Sequence, residues 1–197
     1  PSAKALKLPP SLTTILAHNV TWGDNRMTEF FKSASYGFKS GFKLDISNAK
    51  ASADEWQRLF SEIRNLTING CQSIIWDNNP LSSRLFSFLK KNQQIEYLSL
   101  SGCIDEKDVG LEKHLRQYLM QSNIKSFVMK GTKEKRIGAL LPSLLEVVSK
   151  SLSIEYLDVS HSCSRDKGIF SLSKLIDSEI PLRFLNCDGC EPRDPRF

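Results

Sequence analysis

At 197 residues, with 40% hydrophobic and 25% charged residues and only ten glycines and eight prolines, the chain has an ordinary folded protein's composition. That excludes the collagen-like, low-complexity and disulfide-dense classes. A net charge of +5 and a sequence pI near 9.0 admit acidic proteins, nucleic acid or an anionic membrane as partners, so the placement of the basic residues decides among them.

One pattern recurs along the chain: apolar, two variable, apolar, one variable, apolar, two variable, small or polar. In chain order it predicts strands at Leu12, Ile15, Ala17, Val20; at Gly41, Leu44, Ile46, Ala49; at Cys71, Ile74, Trp76, Asn79; and at Ile95, Leu98, Leu100, Cys103. Three more follow at Ile124, Phe127, Met129, Thr132; at Ile154, Leu157, Val159, Ser162; and at Leu182, Leu185, Cys187, Cys190. The starts of the last four copies lie about 28 to 30 residues apart, within the range of solenoid repeats. A competing third copy at Ile63, Leu66, Ile68, Cys71 also fits, but the more even spacing favours the one starting at Cys71.

The intervening segments carry helical periodicity. Trp56, Leu59, Phe60 and Ile63 form one stripe, and Leu140, Leu141, Leu144, Leu145 and Val148 another. Leu85 with Leu89, Leu111 with Leu115 and Leu119, and Leu172 with Leu175 and Ile176 supply the rest. Ser52 with Glu55 has the form of a capping box just before the Trp56 stripe, and Pro142 falls in the first turn of its helix, where a missing donor costs least. A strand-helix unit of this size cannot bury its own apolar edge, so neighbours must stack. The expected fold is α/β: a leucine-rich-repeat solenoid, or horseshoe, with parallel strands on the concave side and helices on the convex side.

With units of about 29 residues the chain resembles, over its whole length, the ribonuclease-inhibitor-like class of leucine-rich repeats. Ser73-Ile74-Ile75-Trp76-Asp77-Asn78-Asn79, followed by a helix ending near Lys90-Lys91-Asn92, is similar to a repeat of the CARMIL proteins, linkers of actin capping protein and myosin. Leu44-Asp45-Ile46-Ser47-Asn48 and Leu98-Ser99-Leu100-Ser101-Gly102 match that family's strands too. In that family a membrane-binding domain precedes the repeats and the capping-protein segment follows them. The resemblance therefore implies a scaffold in actin and membrane organisation, with no capping activity in these residues.

Strand side chains alternate between faces, so the third, fifth and seventh positions of each copy should line the concave sheet. The candidate partner-binding residues are Lys43, Asp45, Ile75, Asp77, Tyr97 and Ser99 in the first half, and Val128, Lys130, Tyr156, Asp158, Phe184 and Asp188 in the second. Carboxylates outnumber lysines there, so the face is no phosphate groove. A protein partner of basic or mixed character, anchored on Tyr97, Tyr156 and Phe184, is expected. The basic clusters at Lys90-Lys91, Lys125 to Lys135 and Arg193 to Arg196 are dispersed and lack aromatic interleaving. They read as solvated surface, with membrane contact a secondary option and nucleic acid not expected.

No catalytic site, metal or cofactor is expected. Cys187-x-x-Cys190 occupies the sixth and ninth repeat positions, which packing explains, and no second pair completes a zinc site. His18, His114 and His161 lie in different repeats; His161 neighbours Cys163, and Asp158 could orient it, but an open sheet offers no water-excluding pocket. Phosphate-binding glycine loops are absent. The alternative to a scaffold is the recognition arm of a larger enzyme or sensor, such as a ubiquitin ligase or a nucleotide-dependent receptor.

The longest apolar runs, such as Ala139-Leu140-Leu141, fall far short of the roughly 20 residues of a membrane span. Five scattered cysteines, an odd number, suit reduced thiols in the cytoplasm, and the sequons at Asn19 and Asn65 are then incidental. The chain starts at Pro1 with neither initiator methionine nor secretory signal, and is expected to be one domain, residues 1–197, of about seven repeats from a longer protein. The last strand is followed only by a short Pro-rich tail, so stacking is expected to continue beyond it, with self-association through that end an open option.

Overall fold

The computed structural model describes residues 7–105, 109–132, 135, 137–162 and 166–190. Seven short strands, β1 (Thr14–Leu16), β2 (Phe42–Asp45), β3 (Cys71–Ile75), β4 (Tyr97–Ser99), β5 (Ser126–Val128), β6 (Tyr156–Asp158) and β7 (Phe184–Asn186), form one sheet in chain order. Every neighbouring pair is parallel. Helices α1 (Arg26–Ala34), α2 (Ala53–Ile63), α3 (Ser83–Lys91), α4 (Val109–Gln121), α5 (Leu141–Val148) and α6 (Asp166–Ile176) alternate with them. The result is an α/β fold of solenoid-like arrangement.

The repeat phase read from the sequence is the pairing register. Ile15, Leu44, Ile74, Leu98, Phe127, Leu157 and Leu185, all fourth positions, stand opposite one another across the sheet. Ser73 pairs with both Lys43 and Tyr97, which settles the third copy in favour of the one starting at Cys71, with a register shift beside Phe42 absorbing the extra residue at Gln72.

The backbone ladder continues beyond the strands. Asn48 N–H donates to the Asp77 carbonyl, Asn78 to Ser101, Gly102 to Lys130, Gly131 to Ser160 and His161 to Asp188. All the donors are eighth positions, and most take positive φ: Asn48 53°, Asn78 57°, Gly102 64° and His161 57°. Only glycine and a few polar residues enter that region cheaply. At Gly131 the reason is space, since an added Cβ would lie 2.2 Å from the His161 carbonyl oxygen.

Three ninth-position side chains then tie their turns to the repeat before. Buried Asn79 donates to the Ile46 carbonyl and accepts from the Ala49 N–H, both at 2.8 Å. The Cys103 thiol donates to the Trp76 carbonyl and that of Cys190 to Val159, each at 3.2 Å. In all three the acceptor is a sixth-position carbonyl one repeat back or its analogue, so a small donor suffices.

Fourth and sixth positions in the middle of the sheet are fully buried against the helix stripes, whereas Ile15, Ala17, Leu185 and Cys187 at the ends are only partly covered because each has a neighbour on one side. Trp76 joins Phe31, Trp56 and Phe60 in an aromatic cluster with ring centroids 5.9–6.3 Å from it, and its indole N–H donates to the Pro80 carbonyl at 3.0 Å. The Ile74-x-Trp76 part of the CARMIL-like stretch is thus core. Ile176, expected on the buried stripe of α6, is instead exposed: Leu172 and Leu175 take the inner face, and no further helix covers the outer one among the described residues.

Ser52 starts α2, its hydroxyl accepting from Glu55 N–H at 3.2 Å. The Glu55 carboxylate does not fold back to complete the box. It reaches to the start of α1, accepting from the N–H groups of Asn25 and Met27, both at 3.0 Å, where the helix dipole favours a negative charge. Glu55→Gln should therefore cost about 0.5–2 kcal/mol and speed amide exchange at Asn25 and Met27 more than at the start of α2, as hydrogen-exchange mass spectrometry can read. Asn79→Ala should lower the urea midpoint by an amount equivalent to at least about 1–3 kcal/mol, because a buried carbonyl and an N–H lose their partners together.

Candidate partner-binding surface

The open face of the sheet carries three rows. Third positions give Thr14, Lys43, Ser73, Tyr97, Ser126, Tyr156 and Phe184 in order from β1 to β7. On the last two strands the rings of Tyr156 and Phe184 stack with centroids 4.3 Å apart and planes 4° from parallel. Phe184 is 46% exposed and the two tyrosines are half-buried. With Lys43, Ile75 and Ser126 they line an open groove of about 630 Å³. The structure thus brings together five of the residues expected to meet a partner, Lys43, Ile75, Tyr97, Tyr156 and Phe184, with Ser126 among them.

Along one rim run the second positions of β4 to β7: Glu96, Lys125, Glu155 and Arg183, alternating in sign from one repeat to the next. Lys125 Nζ lies 3.0 Å from Glu96, and Arg183 Nε 3.4 Å from Glu155. Sequence reasoning missed this rim because second positions were assigned to neither face. Their alternating charge was the available signal, and like charges on adjacent strands would have repelled.

Three expected contact residues are not available to a partner. Ser99, Val128 and Asp158 are buried beneath their neighbours at the centre of the fifth-position row. Asp158 accepts from Ser160 N–H at 3.1 Å and from its hydroxyl at 2.7 Å, receives Lys130 Nζ at 3.2 Å, and also accepts from the Asn186 amide at 3.2 Å. Burial alone would raise its pKa, but the Ser160 bonds and the Lys130 ammonium outweigh that and hold it below 3.8. Asp45 binds Ser47 N–H at 2.9 Å and its hydroxyl at 2.7 Å, with His18 at 3.8 Å. Asp77 accepts from the Ser99 hydroxyl at 2.6 Å and Ser101 N–H at 2.8 Å. Burial raises its pKa above 3.8 despite those bonds, because it makes no ion pair among the described residues. Asp188 is exposed at the end of the seventh-position row. Most of these carboxylates therefore organise the turns after the strands.

His161, with its left-handed backbone, lies over Gly189, where an added Cβ would meet its Nδ1 at 2.5 Å. The oxygens of Asp158 are engaged by Ser160, Lys130 and Asn186. Burial pushes the thiols of Cys71 and Cys103 up to about 12, far from nucleophilic thiolates. No group of three His, Cys, Asp or Glu among the described residues is placed to hold a metal ion, and no helix among them is long and apolar enough to cross a membrane. Cys163, Lys133, Arg136, Arg193, Arg196 and the tail from Glu191 lie outside the described residues.

Parallel, in-register strands alternating with helices and carrying a groove on the helix-free face define a solenoid-like α/β protein with a candidate binding surface. No protein-family model matches the chain, and no curated protein matches it.

Asp158 and Asp77 should respond oppositely to loss of charge. A carboxylate held below its unfolded pKa stabilises above that value and loses its contribution as pH falls through the folded one. Asp158→Asn should therefore cost about 1–3 kcal/mol at neutral pH, a melting drop of about 2–4 °C per kcal/mol, and the deficit should shrink as the pH falls below 3.8 and wild-type Asp158 protonates. Asp77 is held above its unfolded value, so its charge costs stability at neutral pH and protonation relieves that cost. Asp77→Asn, which keeps an acceptor oxygen, should melt at or above the wild-type temperature in the same calorimetric series.

Proposed function

We propose that the chain is a leucine-rich-repeat horseshoe of the ribonuclease-inhibitor-like type, acting as a non-catalytic protein-binding module. The constant register of seven parallel strands supports the repeat class, as do the small donor at the ninth position and the left-handed residue at the eighth. The observation that carries the binding reading is the aromatic row: Tyr97, Tyr156 and Phe184 remain partly or largely accessible on a face where most other side chains are small, paired or buried. Aromatic side chains so placed are typical anchors of protein interfaces.

The occupant we favour is an extended segment of a protein partner with basic or mixed character. The ion pairs already on the face match lysines and arginines to carboxylates, and Asp77 makes no ion pair among the described residues. A scaffolding role near actin and membranes comes from the likeness of Ser73–Asn79 to CARMIL repeats. Because Ile74 and Trp76 are core residues, that likeness supports the fold more directly than the setting.

A Tyr97→Ala, Tyr156→Ala, Phe184→Ala triple variant tests the face. The rings lie outside the core cluster, so melting should stay within a few degrees of wild type, while proteins captured from cytosol, identified by mass spectrometry with known actin-linked scaffold partners as references, should be lost. An unchanged set of captured proteins would remove the open face as the binding surface.

A further inference from the structure

The aromatic row has a gap. Ser126 on β5 stands between Tyr97 on β4 and Tyr156 on β6, and Phe184 backs Tyr156 in a parallel stack. Strands lie about 4.8 Å apart, so Tyr97 and Tyr156 rise about 9.6 Å apart on either side of a floor made by one small side chain. A neutral ring needs stacking partners closer than this. A cation midway would lie about 4.8 Å from each wall, inside the roughly 6 Å reach of a cation–π contact. The chain contains its own gauge of that distance, for Lys174 Nζ sits 4.6 Å from the centre of the Phe170 ring on α6.

Resting on the binding role proposed above, we propose that the slot over Ser126, between Tyr97 and Tyr156, receives a cationic side chain, arginine best of all, from an extended segment of the protein partner.

The charges around the slot favour this occupant. Lys125, beside the floor, is engaged by Glu96, and Lys130, further along the same strand, by Asp158. Lys43 stands three strands from Ser126, about 14 Å away and beyond the screening length of physiological salt. Asp77 makes no ion pair among the described residues, and negative charge reaches the slot: the Tyr97 phenol is held above its ordinary pKa first by burial and then by Asp77, Tyr156, Asp158 and Asp45. Arginine suits the site better than lysine because its planar, weakly hydrated guanidinium stacks on a tyrosine face and leaves water at lower cost. An aliphatic side chain would fill the slot but leave the field of Asp77 unanswered.

The probe is a randomised dodecapeptide library displayed on phage, selected on the intact 197-residue protein and counter-selected on the triple-alanine variant. Recovered peptides should carry an arginine at a shared position. Its replacement by citrulline, equal in shape but uncharged, should weaken binding of the synthetic peptide about fivefold or more. Ser126→Phe, which raises the floor, should remove that difference; Tyr97→Leu, which keeps apolar bulk without a π face, should reduce it, and each variant's melting curve checks its fold. Peptides that survive counter-selection but lack a basic residue, or bind equally with citrulline, overturn the slot while leaving the open face as the binding surface. Should no peptide survive counter-selection, both readings fall.

Discussion

The structure depends on one constraint: a parallel ladder in which all seven strands keep the same phase. Backbone pairing runs from third positions through the strands and on to the eighth, where each chain turns away from the sheet. A slip of one residue would exchange the apolar fourth and sixth positions for the polar third and fifth and bring the whole strand's core set into water. A left-handed residue at most eighth positions, joined by a small donor at the ninth in Asn79, Cys103 and Cys190, ends the strands in phase. Asn79, with one amide satisfying a carbonyl and an N–H of the preceding repeat, shows how each repeat sets the next.

Keeping phase also dictates the chemistry of the open face. Identical positions in successive repeats become neighbours about 4.8 Å apart, so a residue type meets its counterpart from the adjacent repeat whether or not the two attract. Alternating signs at Glu96, Lys125, Glu155 and Arg183 turn that proximity into ion pairs. Two exposed pairs of this kind add little stability, but four like charges would subtract from it. The aromatic third positions face the same rule: Tyr156 and Phe184 are adjacent and stack, whereas Tyr97 is separated from them by Ser126 and stands alone. A flat sheet thereby gains a shaped recess without a loop or lid.

The carboxylates behave differently from what their exposed-looking positions suggest. Asp45 and Asp158 each hold the serine two residues on through both its N–H and its hydroxyl, and Asp77 does the same work across strands for Ser99 and Ser101. With Lys130 bridging to Asp158, they form a polar layer that fixes the turns leaving the sheet. Because these carboxylates accept hydrogen bonds from the protein's own turns, the rings are the more accessible feature of the open face.

By itself the sequence determined the repeat phase, the strand positions, most of the stripes of α2 to α6 and the α2 start, since a period of about 29 residues and an apolar edge that cannot be buried alone leave one stacking solution. It also held a signal that the apolar pattern passed over, the series Asn19, Asn48, Asn78, Gly102, Gly131, His161, Gly189 at the eighth position, legible only once backbone conformation is considered. Tertiary structure alone decided which open-face residues are accessible. Ser99, Val128 and Asp158 alternate outward by rule yet are covered, because burial depends on the side chains of both adjacent strands, which are about 29 residues away in sequence. The same holds for Glu55, which has the spacing to close its own cap and instead caps α1, whose free N–H groups only stacking brings within reach.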